Sequence, residues 1–341
     1  MTRIEDASSI VIDPRRWIGL LVLLTAPFLS VFDFFVLNIS IPAIQEEFRA
    51  SFAQIQFMVA AYSLTYAVLL VTGGRLGDIY GRRRVFMLGL GGFTLASAVC
   101  GFSHNVEILI FWRGLQGIGA AVMVPQVLAT MRVTFPMRER GLAFAIFGIT
   151  ISLASVLGQL IGGLLMQVNA LGLSWRLVFF INVPVGLIAL AVAVPTLRES
   201  SSPNPLRLDL SGVVIISVGL LLLVYPLIQG RQAGWPAWSY ASLALSVFVL
   251  AAFVLYERWK KGRTGAPLID ISIFRARALV VGLFLILLFF AGFSPFFLAL
   301  TIYLQNGLHF TPLATGYAFT PFAIGFFLAS TLSIKLAPVL G

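Results

Sequence analysis

Two residues carry charge where an apolar sequence has little reason to place it. Asp33 interrupts the run LVLLTAPFLSVFDFFVLNISIP, and Arg113 interrupts ILIFWRGLQGIGAAVMVP. If both runs are helices crossing a bilayer in opposite directions, Asp33 lies about 16 residues, or about 24 Å, from the start of the first, and Arg113 about 8 residues, or about 12 Å, from the start of the other. Both groups then sit at similar depth in the same half of the bilayer, able to face each other, and an ionisable residue at that depth is a functional site by default. The chemistry open to such a pair is proton transfer. Desolvation favours the neutral form of a carboxyl group and a nearby guanidinium favours the charged form, so a movement that changes their separation loads or releases a proton. The same pair equally suits a permanent ion bridge that fixes helix packing. Gln116, one turn from Arg113, supplies a hydrogen bond in either case.

Holding two such residues in place needs helices, and the composition places those helices in a bilayer. Of 341 residues, 59% are hydrophobic and only 11% charged, against about 25% charged in a soluble domain; mean hydropathy is +0.99. Counting apolar runs able to cross about 30 Å of hydrocarbon predicts about ten spans, at about 17–41, 53–74, 84–103, 106–131, 141–166, 175–197, 209–229, 239–257, 278–305 and 312–335. The fold class expected is all-α integral membrane. The first span is too long for a signal peptide and lacks a small-residue cleavage pattern, so it is expected to stay in the protein. A net charge of +10 does not point to nucleic acid, because the basic residues sit in short connections and not on one face of a soluble fold. A lone cysteine, Cys100, allows no intramolecular disulfide. There is no catalytic triad, metal-ligand cluster or phosphate-binding loop, so neither an enzyme nor a metal or other cofactor is expected.

Orientation follows from the basic residues. With the N-terminus cytoplasmic, 18 of the 23 lysines and arginines fall on the inner side, and only Arg49, Arg176 and Arg231 fall in outer connections, as the positive-inside rule requires. The expected location is the cell inner (plasma) membrane. Two polar connectors divide the chain: residues 1–197 form a six-helix bundle, 198–208 a cytoplasmic linker, 209–257 a two-helix insert, 258–277 a second cytoplasmic connector, and 278–341 the first two helices of an incomplete C-terminal bundle.

The stretch GGRLGDIYGRRRVF, residues 73–86, concentrates charge between two apolar spans. Gly73, Gly74 and Gly77 let a helix end press on a neighbouring backbone, and Gly81 permits a turn that a Cβ would resist. Asp78 is then free to pair with Arg82 or to cap a helix N-terminus in trans, a latch worth only about 0–1 kcal/mol when exposed and therefore able to open. The plainer alternative, that Arg82, Arg83 and Arg84 only set topology, leaves Asp78 unexplained. In the fifth span, Gly158 and Gly162 form a GxxxG face for close helix approach, with Gly163 beside it.

Gly74, Leu76, Asp78, Gly81, Arg82 and Arg83 occupy the positions of the signature between the second and third helices of the major facilitator superfamily, which this chain resembles. DFFVLNISIP (33–42), RGLQGIGAA (113–121), WRLVFFINVPVG (175–186), LDLSGVV (208–214) and IYLQNGL (302–308) resemble its fourteen-span drug:proton antiporter branch. The resemblance covers nearly the whole chain, with the last four helices of the fourteen missing. It implies a role for Arg113 in proton coupling, with Asp33 as its natural partner. It also exposes a departure, because the antiporter motif in the fifth span usually reads GPxxGG and here has Gln159 in place of proline, which removes a kink-former.

The function expected is proton-coupled export of small amphipathic or hydrophobic compounds. Its partners would be a small-molecule substrate, membrane lipid and protons; outer-membrane efflux partners are left open. Asn38, Gln116 and Gln159 are the side chains available to line a substrate cavity, although Gln159 fits helix pairing equally well. The alternative is a truncated, non-transporting membrane protein or regulatory partner. Alternating access needs two complete halves rocking about a shared site. Liposomes carrying only these 341 residues are therefore expected to show no proton-coupled uptake of a hydrophobic cation, and a version extended to fourteen spans to show it. Uptake by the short chain overturns the expectation.

Overall fold

Where no water is at hand, backbone N–H and C=O groups must pair within their own segment, so each apolar run folds as a helix. The computed structural model describes residues 14–168, 172–203, 205–264 and 266–340. In chain order the helices are α1 (Arg16–Phe48), α2 (Phe52–Tyr80), α3 (Arg82–Gly101), α4 (Val106–Thr134), α5 (Met137–Val168), α6 (Ser174–Thr196), α7 (Leu210–Gln229), α8 (Ala237–Thr264), α9 (Arg277–Ile302) and α10 (Pro312–Leu340). α6 opens with a 3₁₀ turn, and α9 ends in a π turn over Tyr303–Gly307. Among the described residues, nine helices, α1 to α9, are long and apolar enough to cross a membrane. No strand occurs among the described residues.

Local chemistry sets the ends. Ser51 and Gln54 form a reciprocal capping box at α2, with Gln54 N–H donating to Ser51 Oγ at 3.2 Å and Ser51 N–H to Gln54 Oε1 at 2.8 Å. Asn105 caps α4 by accepting from Ile108 N–H at 2.8 Å. Two boundaries differ from expectation. α2 runs to Tyr80, so most of 73–86 is helix and a single residue, Gly81 with φ +101°, separates α2 from α3. α8 runs to Thr264, so the connector expected at 258–277 begins as helix and narrows to about residues 265–276.

Apolar contact gains little in hydrocarbon, so helices approach where small residues let backbones meet. α4 is the hub, lying against α2 and α3. A Cβ on Gly73 would overlap the Ala121 carbonyl, and one on Gly119 would stand 2.6 Å from Phe93 N. α1 packs on α5 through the expected GxxxG face: Cβ atoms on Gly158 and Gly162 would lie 2.8 Å from Phe35 Cβ and 3.2 Å from Val36 Cα. Gly163 faces α10, 2.7 Å on the same measure from the Pro312 carbonyl oxygen. α7 and α8 pair with each other, and α7 also touches α2, where Phe57 meets Tyr225 with ring centroids 5.5 Å apart. α9 reaches α1 through Phe35 and Phe297, 5.2 Å between centroids, and through Gln305 Nε2 donating to the Ile39 carbonyl at 3.1 Å.

Replacing Gly119 by Leu drives a side chain into the α3 backbone, a loss of about 1–3 kcal/mol or more. Gly119→Leu is expected to lose its monodisperse peak on detergent size exclusion, and Gly92→Leu, which meets nothing within 4 Å, to keep it. A well-folded Gly119→Leu overturns this account of the α3–α4 contact.

Candidate functional site

α1 and α4 bring Asp33 and Arg113 together. Both side chains are 1% exposed, and Arg113 Nη1 donates to Asp33 Oδ2. Asp33 Oδ1 accepts from Gln116 Nε2 at 2.9 Å and from Asn182 Nδ2, on α6, at 3.1 Å. Arg113 Nη1 also donates to Gln116 Oε1 at 2.7 Å. Asn182 Nδ2 donates as well to Ser97 Oγ on α3 at 3.0 Å, and that hydroxyl donates to the Phe179 carbonyl at 2.9 Å. The guanidinium carbon lies 4.5 Å from the ring centroid of Tyr62 on α2, a desolvated cation–π contact. Cys100 is buried beside the network, its sulfur 4.0 Å from Gln116 Oε1.

Five helices thus converge on one carboxylate, whose two oxygens accept three hydrogen bonds. These three bonds take up three of the about four lone-pair positions of the carboxylate, two on Oδ1 and one on Oδ2. Three buried atoms of the network have no partner: Arg113 Nε, Tyr62 Oη and Asn182 Oδ1. Gln116, expected to supply a hydrogen bond beside Arg113 and to line a cavity, bonds to both members of the ion pair. Asn182, Ser97 and Tyr62 were missed from the sequence; the only signal was one amide within FFINVPVG.

The other expected cavity residues are more scattered. Asn38 is 3% exposed and spends its amide N–H on the Phe34 carbonyl of its own helix, at 2.8 Å. Gln159 is 1% exposed, with neither Oε1 nor Nε2 partnered. It borders α10, because a Cβ on Gly316 would lie 2.7 Å from the Gln159 carbonyl oxygen.

At the far end of α2, Arg82 donates to Asp78 at 2.8 Å. Among the described residues Asp78 caps no helix in trans. Glu199 of the 198–208 linker takes that role, accepting from Arg83 N–H at 3.1 Å and Arg84 N–H at 3.2 Å at the start of α3. The linker is further fixed by Arg82 N–H donating to the Ser200 carbonyl at 2.8 Å and Ser202 N–H to the Asp78 carbonyl at 3.0 Å, while Arg83 Nη2 donates to the Val194 carbonyl at 2.8 Å. Gly81 faces the Glu199 carboxylate, 2.5 Å from a Cβ placed there, so its missing side chain makes room for the cap. Gly74 faces Pro125 of α4 at an ordinary 3.6 Å on the same measure. Among the described residues no group of three or more His, Cys, Asp or Glu could hold a metal ion.

The chain is similar to known transporters. It is 40% identical over 310 residues to a probable actinorhodin transporter of Streptomyces coelicolor, covering 91% of this chain and 54% of that protein. It is 37% identical over 342 residues to the puromycin resistance protein pur8 of Streptomyces alboniger, covering 98% and 65%. To a tetracenomycin C resistance and export protein of Streptomyces glaucescens it is 34% identical, covering 90% and 56%. This chain thus spans about half to two thirds of the length of those relatives. Among solved structures, the crystal structure of a peptide transporter, POT, with sulfate shares the fold, with TM-score 0.61 and 18% identity over 94% of this chain and 67% of that one. The family model for the Major Facilitator Superfamily matches residues 23–341, which take in the helix bundle, the Asp33–Arg113 pair and the α2–α3 junction, and the chain belongs to that superfamily.

Proposed function

We propose that this chain belongs to a proton-coupled exporter of small amphipathic compounds in the plasma membrane, with its N-terminus and the α2–α3 junction cytoplasmic. The observation that carries this reading is the Asp33–Arg113 pair, buried to 1% and held by donors from α4 and α6. Relatives named for actinorhodin transport, puromycin resistance and tetracenomycin C export support the substrate class. The proton gradient supplies the energy, with no cofactor.

In this scheme the proton neutralises Asp33, and the Arg113 guanidinium is left with only Gln116 and the Tyr62 ring; that uncompensated buried charge drives the rearrangement. Loss of the bridge frees α1 to move against α4, and return of the guanidinium expels the proton on the other side. Gln159, with both amide atoms buried and unpartnered, supplies a donor and an acceptor to a substrate in an otherwise apolar cavity. Asn38 lies five residues beyond Asp33 and has a second amide hydrogen besides the one bonded to Phe34. Asp78–Arg82 is the cytoplasmic latch, and the Glu199 cap ties it to the linker.

Asp33→Asn keeps the shape and removes the titrating group. In everted membrane vesicles the complete protein with this change is expected to lose ΔpH-driven export to the level of empty vesicles, at unchanged abundance in the membrane. Transport at the wild-type rate sinks the coupling role.

Asp78→Asn removes a partly exposed partner worth about 0–1 kcal/mol, so the inward-open population should rise by up to about fivefold. Labelling of a single cysteine placed in the inner cavity, in a Cys100→Ala background, should accelerate accordingly. Unchanged labelling leaves the arginines with topology alone.

A further inference from the structure

A pair of carboxyl groups lies far from Asp33 in the chain, where the α7–α8 pair meets α2. Asp209 caps α7. Its Oδ1 accepts from Gly212 N–H at 2.8 Å, Tyr256 Oη at 3.0 Å and Lys260 Nζ at 2.6 Å, and its Oδ2 has no donor. Glu257, on α8, accepts from Ile269 N–H through Oε2 at 2.8 Å, and its Oε1 has no donor either. Each residue is 1% exposed. The two unpartnered oxygens converge over the bare face of Gly212, 2.7 Å (Glu257) and 2.8 Å (Asp209) from where a Cβ there would sit. Both oxygens thus lie within 2.8 Å of one common point.

The surrounding charges do not fill that gap. From α2, Arg75 donates to the carbonyls of Arg207 at 2.9 Å, of Pro267, and of Leu268 at 3.3 Å. It therefore acts on both carboxyls as a nearby charge and donates to neither. From α8, Lys260 and Tyr256 are directed to Asp209 Oδ1, and Lys261 is paired with Asp270 at 2.8 Å. Two ionised carboxylates with lone pairs facing across a buried gap repel each other, and the remedy is one shared hydrogen.

We propose that Asp209 and Glu257 hold one proton between them, a second proton-binding site distinct from Asp33, with the hydrogen on Glu257 Oε1 donated to Asp209 Oδ2. The asymmetry follows from the donors. Burial alone would raise Asp209, but Lys260, the Gly212 N–H and Tyr256 outweigh it and hold its carboxyl below the ordinary range, so Asp209 keeps the negative charge and Glu257 keeps the proton. Release of that proton places a second negative charge before Arg75 and ruptures the bridge between the start of α7 and the end of α8. The site thereby makes the seating of the α7–α8 pair on α2 proton-dependent.

The test is infrared spectroscopy of the 341-residue chain in lipid nanodiscs at neutral pH. A protonated-carboxyl C=O band is expected that persists in Asp33→Asn, disappears in Glu257→Gln, and shifts when glutamate but not aspartate carboxyls carry ¹³C. The isotope experiment needs no variant, so it decides the matter even if Glu257→Gln fails to fold. Absence of the band, or a shift with labelled aspartate alone, overturns the proposal. A band that appears only after sodium and potassium are removed overturns it too, because the pair then holds a metal cation. Survival of the band in Asp33→Asn keeps this result separate from the fate of the Asp33 coupling role.

Discussion

An ion pair in hydrocarbon has no water to share its charge, and the bundle is organised around meeting that demand. Asp33 and Arg113 would each be strongly unfavourable alone at their depth. Together they require geometry good enough to offset desolvation, with the remaining lone pairs occupied. α4 supplies Gln116, α6 supplies Asn182, α3 orients Asn182 through Ser97, and α2 lays the Tyr62 ring under the guanidinium. The positions of these helices follow from the partners the pair needs.

The means of approach is glycine. α4 can deliver Arg113 to α1 only if α2 and α3 lie close on its other faces, and Gly73, Gly117 and Gly119 remove the side chains that would hold them off. Gly158 and Gly162 do the same for α5 on α1. This packing needs no apolar driving force, which lipid does not provide. The polar network fixes which helices meet, and the glycines fix how near they come.

The two poles of the site were legible because a charge inside an apolar run stands out, and helical rise converts sequence position into depth. That arithmetic paired Asp33 with Arg113 across a separation of 80 positions. Asn182, Ser97 and Tyr62 were not legible, because polar residues of modest cost are common in membrane helices and only the rotation of each helix decides which face the pair. Glu199 was hidden for another reason: it reaches Arg83 across 116 positions from a stretch read only as linker. The end of α2 was misplaced because glycine, which weakens helices in water, serves as a contact surface in lipid. Only Gly81, with its positive φ, breaks the chain there.

The three carbonyls held by Arg75 come from opposite flanks of the α7–α8 pair, one from Arg207 just before it and two from Pro267 and Leu268 just after. One guanidinium therefore fastens both the entry and the exit of that excursion to the same point on α2. Chain leaving the bundle at this point also returns to it here, so the path of α9 begins from the position where α6 and its linker left off. Such a fastening turns the helix pair into a cassette: its entry and exit stay together on α2, so the far ends of its two helices can lengthen or shorten without displacing the helices on either side.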